Sequence, residues 1–129
     1  LKSFGTNFGM TFQLIDDAID YSSNKKILGK NTGDDFKEGK ITLPIILAYG
    51  RSNDIEKKFW ERTISDLNQN NGDFEMALEI INKYQCIEDT LTRANHFSNV
   101  AVDSVDIFKD NIYKEKLVSL VSKSVSRIY

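Results

Sequence analysis

The chain has 129 residues, of which 40% are hydrophobic and 28% are charged, and its formal net charge is −2. This composition is typical of one soluble globular domain and lacks the overall basic charge that would favour nucleic acid. No apolar run approaches the roughly 18 residues that a transmembrane helix needs, so we expect no stable membrane insertion. Cys86 has no second cysteine to pair with, which favours a reducing, cytoplasmic location.

Helical spacing of apolar residues recurs along the chain and predicts an all-α fold. The first predicted helix covers about residues 2–22, because Phe8, Phe12, Ile15 and Ile19 follow one helical face. The polar, glycine-containing stretch from Ser23 to Glu38 is predicted as a loop. A short helix then opens at Thr42-Leu43-Pro44, since proline is tolerated in a first turn.

Four further segments complete the prediction. Asp54 is a plausible N-cap for a helix that extends to Leu67, and a loop follows over 68–72. Helical patterns continue through Phe74–Ile81, through 87–108, and from about Tyr113 to the end. We therefore expect a single domain part, with a motif helix over 1–22, a loop over 23–40 and helices over 41–129.

The first predicted helix ends in a cluster of aspartates. Residues three and four apart share a helix face, so Asp16 and Asp20 project together, with Gln13 one turn before them. Two carboxylates at this spacing suit Mg²⁺, which prefers oxygen ligands and commonly takes substrate phosphates for its remaining positions. Asp17 lies about 100° round the helix, where it could bind a second position or orient a metal-bound water. The alternative interpretation is a solvated acidic face without a ligand.

Two lysines flank the loop that follows the aspartates. Lys30 and Lys40 carry point charges on flexible stems, which are suitable partners for a diphosphate. Isolated lysines are normally solvated surface groups, and the significance of this pair depends on its position directly after the aspartate helix. Together these residues indicate half of a metal-diphosphate site.

These motifs resemble a known family. The segments Phe12-Gln-Leu-x-Asp-Asp-x-x-Asp20-Tyr21, Gly29-Lys30-x-x-Gly33-x-Asp35 and Glu38-Gly39-Lys40-x-Thr42-Leu43-Pro44 closely resemble the second aspartate-rich region of trans-isoprenyl diphosphate synthases. The long-chain polyprenyl, octaprenyl-like branch is the best match. The motifs span residues 1–48, and the helical remainder is compatible with the C-terminal helices of that family.

The resemblance implies a helical-bundle prenyltransferase of isoprenoid biosynthesis that uses Mg²⁺. Such an enzyme condenses isopentenyl diphosphate head-to-tail with an allylic diphosphate, and its complete form is expected to be a homodimer. By motif position, the metal ligands would be Asp16, Asp17 and Asp20, which would also be catalytic together with Lys30. The residues that would contact the allylic diphosphate are Gln13, Lys30 and Lys40.

The chain departs from the family in its extent. Members have roughly 300 residues with two Asp-Asp-x-x-Asp motifs, whereas this chain has one and starts at Leu1 within helical sequence. We therefore expect a C-terminal portion of a synthase, as an excerpt, a truncated product or a split subunit, that is inactive alone. Two alternatives stay open: a non-catalytic remnant or interaction protein of the same fold, and a terpene-synthase-like cyclase, which the lysine motifs disfavour.

Overall fold

The computed structural model describes residues 1–22, 33–106 and 112–126, and every regular element in these ranges is a helix. This confirms the all-α prediction. The helices are α1 Lys2–Ile19, α2 Asp34–Glu38, α3 Leu43–Arg51, α4 Asp54–Trp60, which continues as a π-helical turn Glu61–Ser65, α5 Asp73–Lys83, α6 Cys86–Ser104 and α7 Ile112–Ser126. Within the described ranges, no helix is long and apolar enough to cross a membrane.

The short helix α2 was not predicted, because its five residues lie within the stretch assigned to a loop. It begins after Gly33, whose φ is +94°, and ends at Gly39, whose φ is +66°. Both angles lie in the left-handed region that glycine adopts readily. Asp34 and Asp35 occupy the first turn, where negative charge is favourable. A helix this short carries too few apolar residues for periodicity to reveal it. Residues 23–32 of the predicted loop lie outside the described residues.

The N-terminus of α4 is capped one residue earlier than predicted. Asn53, rather than Asp54, accepts a hydrogen bond from the Glu56 backbone N–H at 2.9 Å, and the Glu56 side chain accepts one from the Asn53 N–H at 2.9 Å. This reciprocal capping box satisfies two backbone donors at once. Pro44 lies in the first turn of α3, as predicted.

Helix α4 ends in a π-helical turn instead of continuing to Leu67. The Asp66 N–H donates to the Glu61 carbonyl at 3.0 Å, five residues back. Leu67 then adopts a φ of +53°, which ends the helix. The loop over 68–72 follows, as predicted.

A bidentate ion pair between the π-helical turn and α5 holds the ends of this loop together. The Arg62 guanidinium donates to both Asp73 carboxylate oxygens, at 2.8 and 3.0 Å, and also to the Asn68 carbonyl at 2.8 Å. Asp73 accepts a further bond from the Asn70 N–H at 2.7 Å. The loop between the two helices therefore has a fixed path.

The Arg62–Asp73 pair is expected to make the stability of the chain depend on acid pH. Hydrogen bonds from Arg62 hold the pKa of the Asp73 carboxyl below its usual value. A lowered pKa in the folded state stabilises the fold above the unfolded pKa of about 4, and this contribution is lost as pH falls through the folded value. Urea unfolding between pH 6 and pH 3 measures it. Asp73→Asn is expected to be less stable at pH 6 and to lose part of the acid dependence; an unchanged acid profile would contradict this.

The described residues group into two compact units, one formed by those within Leu1–Asp16 and Leu91–Tyr129 and the other by those within Asp17–Thr90. The first unit buries Phe4, Ala101, Val105 and Val121 as its core. The core of the second unit is larger and consists of Tyr21, Phe36, Ile45, Ala48, Trp60, Ile64, Ala77, Ile80, Ile81 and Cys86. Apolar contacts thus stabilise each unit from within.

Cys86 is expected to be chemically inert in the folded chain, because its side chain is buried. The residue is 0% exposed, and burial raises the pKa of its thiol to about 11. Because the thiolate is the reactive form, labelling with a disulfide reagent at pH 8 should be slow in buffer and fast in denaturant. Equal labelling rates in both conditions would contradict the buried placement.

Candidate functional site

The C-terminal end of α1 carries two carboxylates that are almost completely buried. Asp17 is 6% exposed and lies in the last turn of α1, and Asp20 is 0% exposed and directly follows Ile19. Burying a carboxylate is costly unless hydrogen bonds or opposite charge compensate for it. The interpretation of the cluster as a solvated acidic face is therefore wrong for these two residues.

Asp20 is hydrogen-bonded to the start of α2. Its Oδ2 accepts from the Asp35 backbone N–H at 2.9 Å, and its backbone carbonyl accepts from the Gly33 N–H at 3.0 Å. Gly33, the N-cap residue of α2, has no side chain that could cap the helix. Asp20 supplies that acceptor from a distant position in the sequence, so one of its oxygens already has a structural role.

Tyr21 directly follows Asp20 and is a buried tyrosine whose pKa is affected by the nearby carboxylates. It is 1% exposed, and its hydroxyl has no hydrogen-bond partner among the described residues. Burial raises the pKa of its phenol far above the ordinary value, and the charges of Asp20, Asp35 and Asp17 raise it further. Three carboxylates thus act on one buried phenol, which stays protonated at neutral pH.

Lys40 is the described member of the predicted lysine pair. It is exposed, and its backbone N–H donates to the Asp35 carbonyl at 2.9 Å. The backbone of Lys40 is therefore held at the C-terminal end of α2, whereas Asp20 is bonded near the N-terminal end. Lys30 lies outside the described residues.

The other predicted site residues belong to the first unit. Gln13 is exposed and Asp16 is half-buried, both on α1, whereas Asp17, Asp20 and Lys40 belong to the second unit. The structure brings Asp17, Asp20 and Asp35 close to Tyr21. The joint role of Asp16, Asp17 and Asp20 as metal ligands stays a prediction.

The donor set fits a magnesium ion only in part. Across 1–22, 33–106 and 112–126, no group of three or more His, Cys, Asp or Glu side chains is arranged to hold a metal ion. Mg²⁺, however, is usually bound by one or two carboxylates together with waters and substrate phosphates. The hard carboxylate oxygens of Asp17 and Asp20 match that smaller set. These residues therefore suit a cation that arrives with, or is completed by, an anionic substrate.

A separate apolar cleft of about 410 Å³ lies between α3 and the π-helical turn. Its lining is mainly hydrophobic and includes Ile41, Ile45, Ile46, Trp60 and Ile64. None of the motif aspartates lines it. The cleft offers no carboxylate pair for a cation, so the candidate site is at the end of α1.

Solved structures of polyprenyl synthases are similar to this chain. A polyprenyl synthase of Caulobacter crescentus, complexed with calcium and isoprenyl diphosphate, superimposes with a TM-score of 0.88 at 42% identity, covering 96% of this chain and 38% of that one. A decaprenyl diphosphate synthase of Rhodobacter capsulatus gives a TM-score of 0.91 at 33% identity, covering 98% and 39%. The chain therefore has the all-α isoprenoid synthase fold.

Comparison of the sequence with known families identifies the family within this fold. The model of the polyprenyl synthetase family matches residues 1–81, and this chain belongs to that family. An octaprenyl diphosphate synthase of Haemophilus influenzae is 36% identical over 129 residues, and one of Escherichia coli is 34% identical over 129 residues. In both cases the chain spans 39% of the length of the relative.

Sequence reasoning assigned no role to Tyr21 and placed Asp35 in a loop. Both residues contribute to the site, Asp35 through its backbone N–H as well as its charge. The glycines on either side of residues 34–38 were the available signal, since glycine commonly ends short helices. Asp17 and Asp20 are near Tyr21 in the chain, whereas the effect of Asp35 on Tyr21 has no local signal in the sequence, because it depends on where α2 packs.

Proposed function

We propose that this chain forms the diphosphate-holding part of a Mg²⁺-dependent polyprenyl diphosphate synthase. The supporting observation is the burial of Asp17 and Asp20 at the end of α1, beside Asp35, in a chain of the polyprenyl synthetase family. The reaction is head-to-tail condensation of isopentenyl diphosphate with an allylic diphosphate in isoprenoid biosynthesis. Its barrier lies in the separation of the anionic diphosphate from the allylic carbon, which neutralising charge promotes.

In this proposal the chain's residues prepare the site before substrate arrives. Asp17 and Asp20 would hold the divalent cation, which when bound would neutralise charge on the diphosphate. The Asp35 N–H fixes one oxygen of Asp20, so that carboxylate needs little reorganisation on binding. Lys40 adds a positive charge at the other end of α2, where it can pair with the diphosphate.

The remaining predicted roles are part of the same proposal. Asp16 would be a further metal ligand, and Gln13 and Lys30 would contact the allylic diphosphate. The chain holds one Asp-Asp-x-x-Asp motif and spans 39% of its octaprenyl-synthase relatives, so alone it is not expected to elongate a prenyl chain. The complete enzyme is expected to be a cytoplasmic homodimer.

Calorimetric titration of the chain with inorganic diphosphate, with and without MgCl₂, tests this proposal. Binding is expected only with Mg²⁺, and Asp17→Asn and Lys40→Met should weaken it. Lys58→Met is the matched control, because Lys58 is also an exposed lysine but lies on α4. Equal affinity in all four proteins, or no Mg²⁺-dependent binding in the unmodified chain, would contradict the proposal.

A further inference from the structure

Helix α2 connects two groups of the candidate site. Near its start the Asp35 N–H donates to the Asp20 carboxylate at 2.9 Å. Beyond its end the Lys40 N–H donates to the Asp35 carbonyl at 2.9 Å, and the Gly39 N–H donates to the Phe36 carbonyl at 3.0 Å. The position of Lys40 relative to Asp20 therefore depends on how firmly this five-residue helix is held.

Gln69 holds α2 from outside. Its side-chain amide donates to the Phe36 carbonyl at 2.7 Å and to the Thr63 carbonyl at 2.9 Å. The first carbonyl belongs to α2 and the second to the π-helical turn. One amide group thus joins the two elements, and carbonyls near helix ends are the backbone groups that most need such donors.

The π-helical turn and the residues that follow it also pack closely against the end of α2. A Cβ placed on Gly39 would lie 2.8 Å from the Ile64 carbonyl oxygen and 2.5 Å from Leu67 Cδ2. The backbone of Gly39 therefore packs directly against this segment. Gln69 is anchored in turn, because the Arg62–Asp73 pair fixes the loop on either side of it.

We propose that Gln69 is a positioning residue of the diphosphate site. By joining α2 to the π-helical turn, it sets the position of Lys40 relative to Asp20, although it need not contact substrate itself. The inference rests on the proposed function of Asp20 and Lys40. Displacement of a binding group by about 1 Å can lower the efficiency of a site 100-fold, so a distant hydrogen bond can govern it.

Gln69→Met tests this inference, because methionine has a similar size but cannot donate to either carbonyl. Ser52→Ala is the stability control. It removes a buried acceptor from the Trp60 indole N–H, at 3.1 Å, without touching α2. Gln69→Asn, which keeps the amide but shortens its reach, is the second variant if Gln69→Met does not fold.

Amide hydrogen exchange of the unliganded chain is the first measurement. In Gln69→Met, the exchange of the Gly39 and Lys40 amides is expected to accelerate about tenfold or more, whereas the Glu56 amide in the capping box should not change. In Ser52→Ala, the Gly39 and Lys40 amides should keep their protection. Unchanged protection of Lys40 in Gln69→Met would overturn the inference.

Titration with MgCl₂ and inorganic diphosphate is the second measurement. Gln69→Met is expected to bind at least about tenfold more weakly than the unmodified chain, and Ser52→Ala within about twofold of it. If both variants lose affinity equally, Gln69 serves stability alone and the inference is wrong. If Gln69→Met binds normally, the inference also fails while the proposed function stands. If the unmodified chain binds nothing, the proposed function fails first and the inference with it.

Discussion

Asp20→Asn is expected to fold as stably as the unmodified chain but to lose Mg²⁺-dependent diphosphate binding by about 100-fold or more. Asparagine keeps an oxygen that can accept from the Asp35 N–H, so the cap of α2 survives. It removes one of the three negative charges that act on the Tyr21 phenol, so repulsion is expected to decrease and the fold is expected to keep its stability. The loss of affinity would follow from the missing charge toward the cation.

Asp20→Ala separates the structural role of this residue from its binding role. It removes both the charge and the acceptor, so the buried Asp35 N–H loses its partner at an expected cost of about 1–3 kcal/mol in the free energy of unfolding. Urea unfolding and calorimetric titration of the three proteins provide the comparison. If Asp20→Asn bound Mg²⁺ and diphosphate normally, Asp20 would be a capping residue only. If it unfolded like Asp20→Ala, the charge would be essential to the fold.

Gly39→Ala is expected to reduce the free energy of unfolding by about 2–4 kcal/mol. The φ of +66° is strained for any residue with a Cβ, and the added methyl would meet the Ile64 carbonyl oxygen at 2.8 Å. A backbone oxygen cannot move aside as a flexible side chain can, so the end of α2 must shift. Because Lys40 is the next residue, diphosphate binding should also weaken in protein that remains folded.

Gly50→Ala is the matched control for this substitution. Gly50 lies within α3, and no atom lies within 4 Å of the position that its Cβ would occupy. Alanine is favoured over glycine in a helix, so a gain of roughly 0.5–1 kcal/mol is expected. Thermal unfolding distinguishes the two variants. Similar stability of Gly39→Ala and Gly50→Ala would contradict the close packing of Gly39 against the π-helical turn.

The sequence predicted most of the helices because their apolar residues repeat at helical spacing over several turns. Phe8, Phe12, Ile15 and Ile19 indicated α1, and Pro44 marked the first turn of α3. The sequence also indicated the family, because the aspartate and lysine motifs of residues 1–48 occur in the order typical of it. The polyprenyl synthetase assignment of residues 1–81 confirms it.

Two further features depend on contacts between segments that are distant in the chain. Asp20 caps α2 across 15 residues, and Gln69 reaches Phe36 across 33. No local sequence pattern indicates such pairs.

The cap of α4 was predicted one residue too late. Asn53 and Asp54 are both good N-cap residues, and only the reciprocal bond with Glu56 distinguishes Asn53.

Activity of a hybrid synthase tests the central claim most directly. The part of the Haemophilus influenzae octaprenyl diphosphate synthase that precedes the matched region is joined to this chain, which aligns with 39% of that protein. With Mg²⁺, the folded hybrid is expected to elongate an allylic diphosphate with labelled isopentenyl diphosphate, and Asp20→Asn should slow turnover by about 100-fold or more. A folded hybrid that is inactive, or that elongates equally well with Asp20→Asn, would contradict the proposal that this chain forms the diphosphate-holding part of the enzyme.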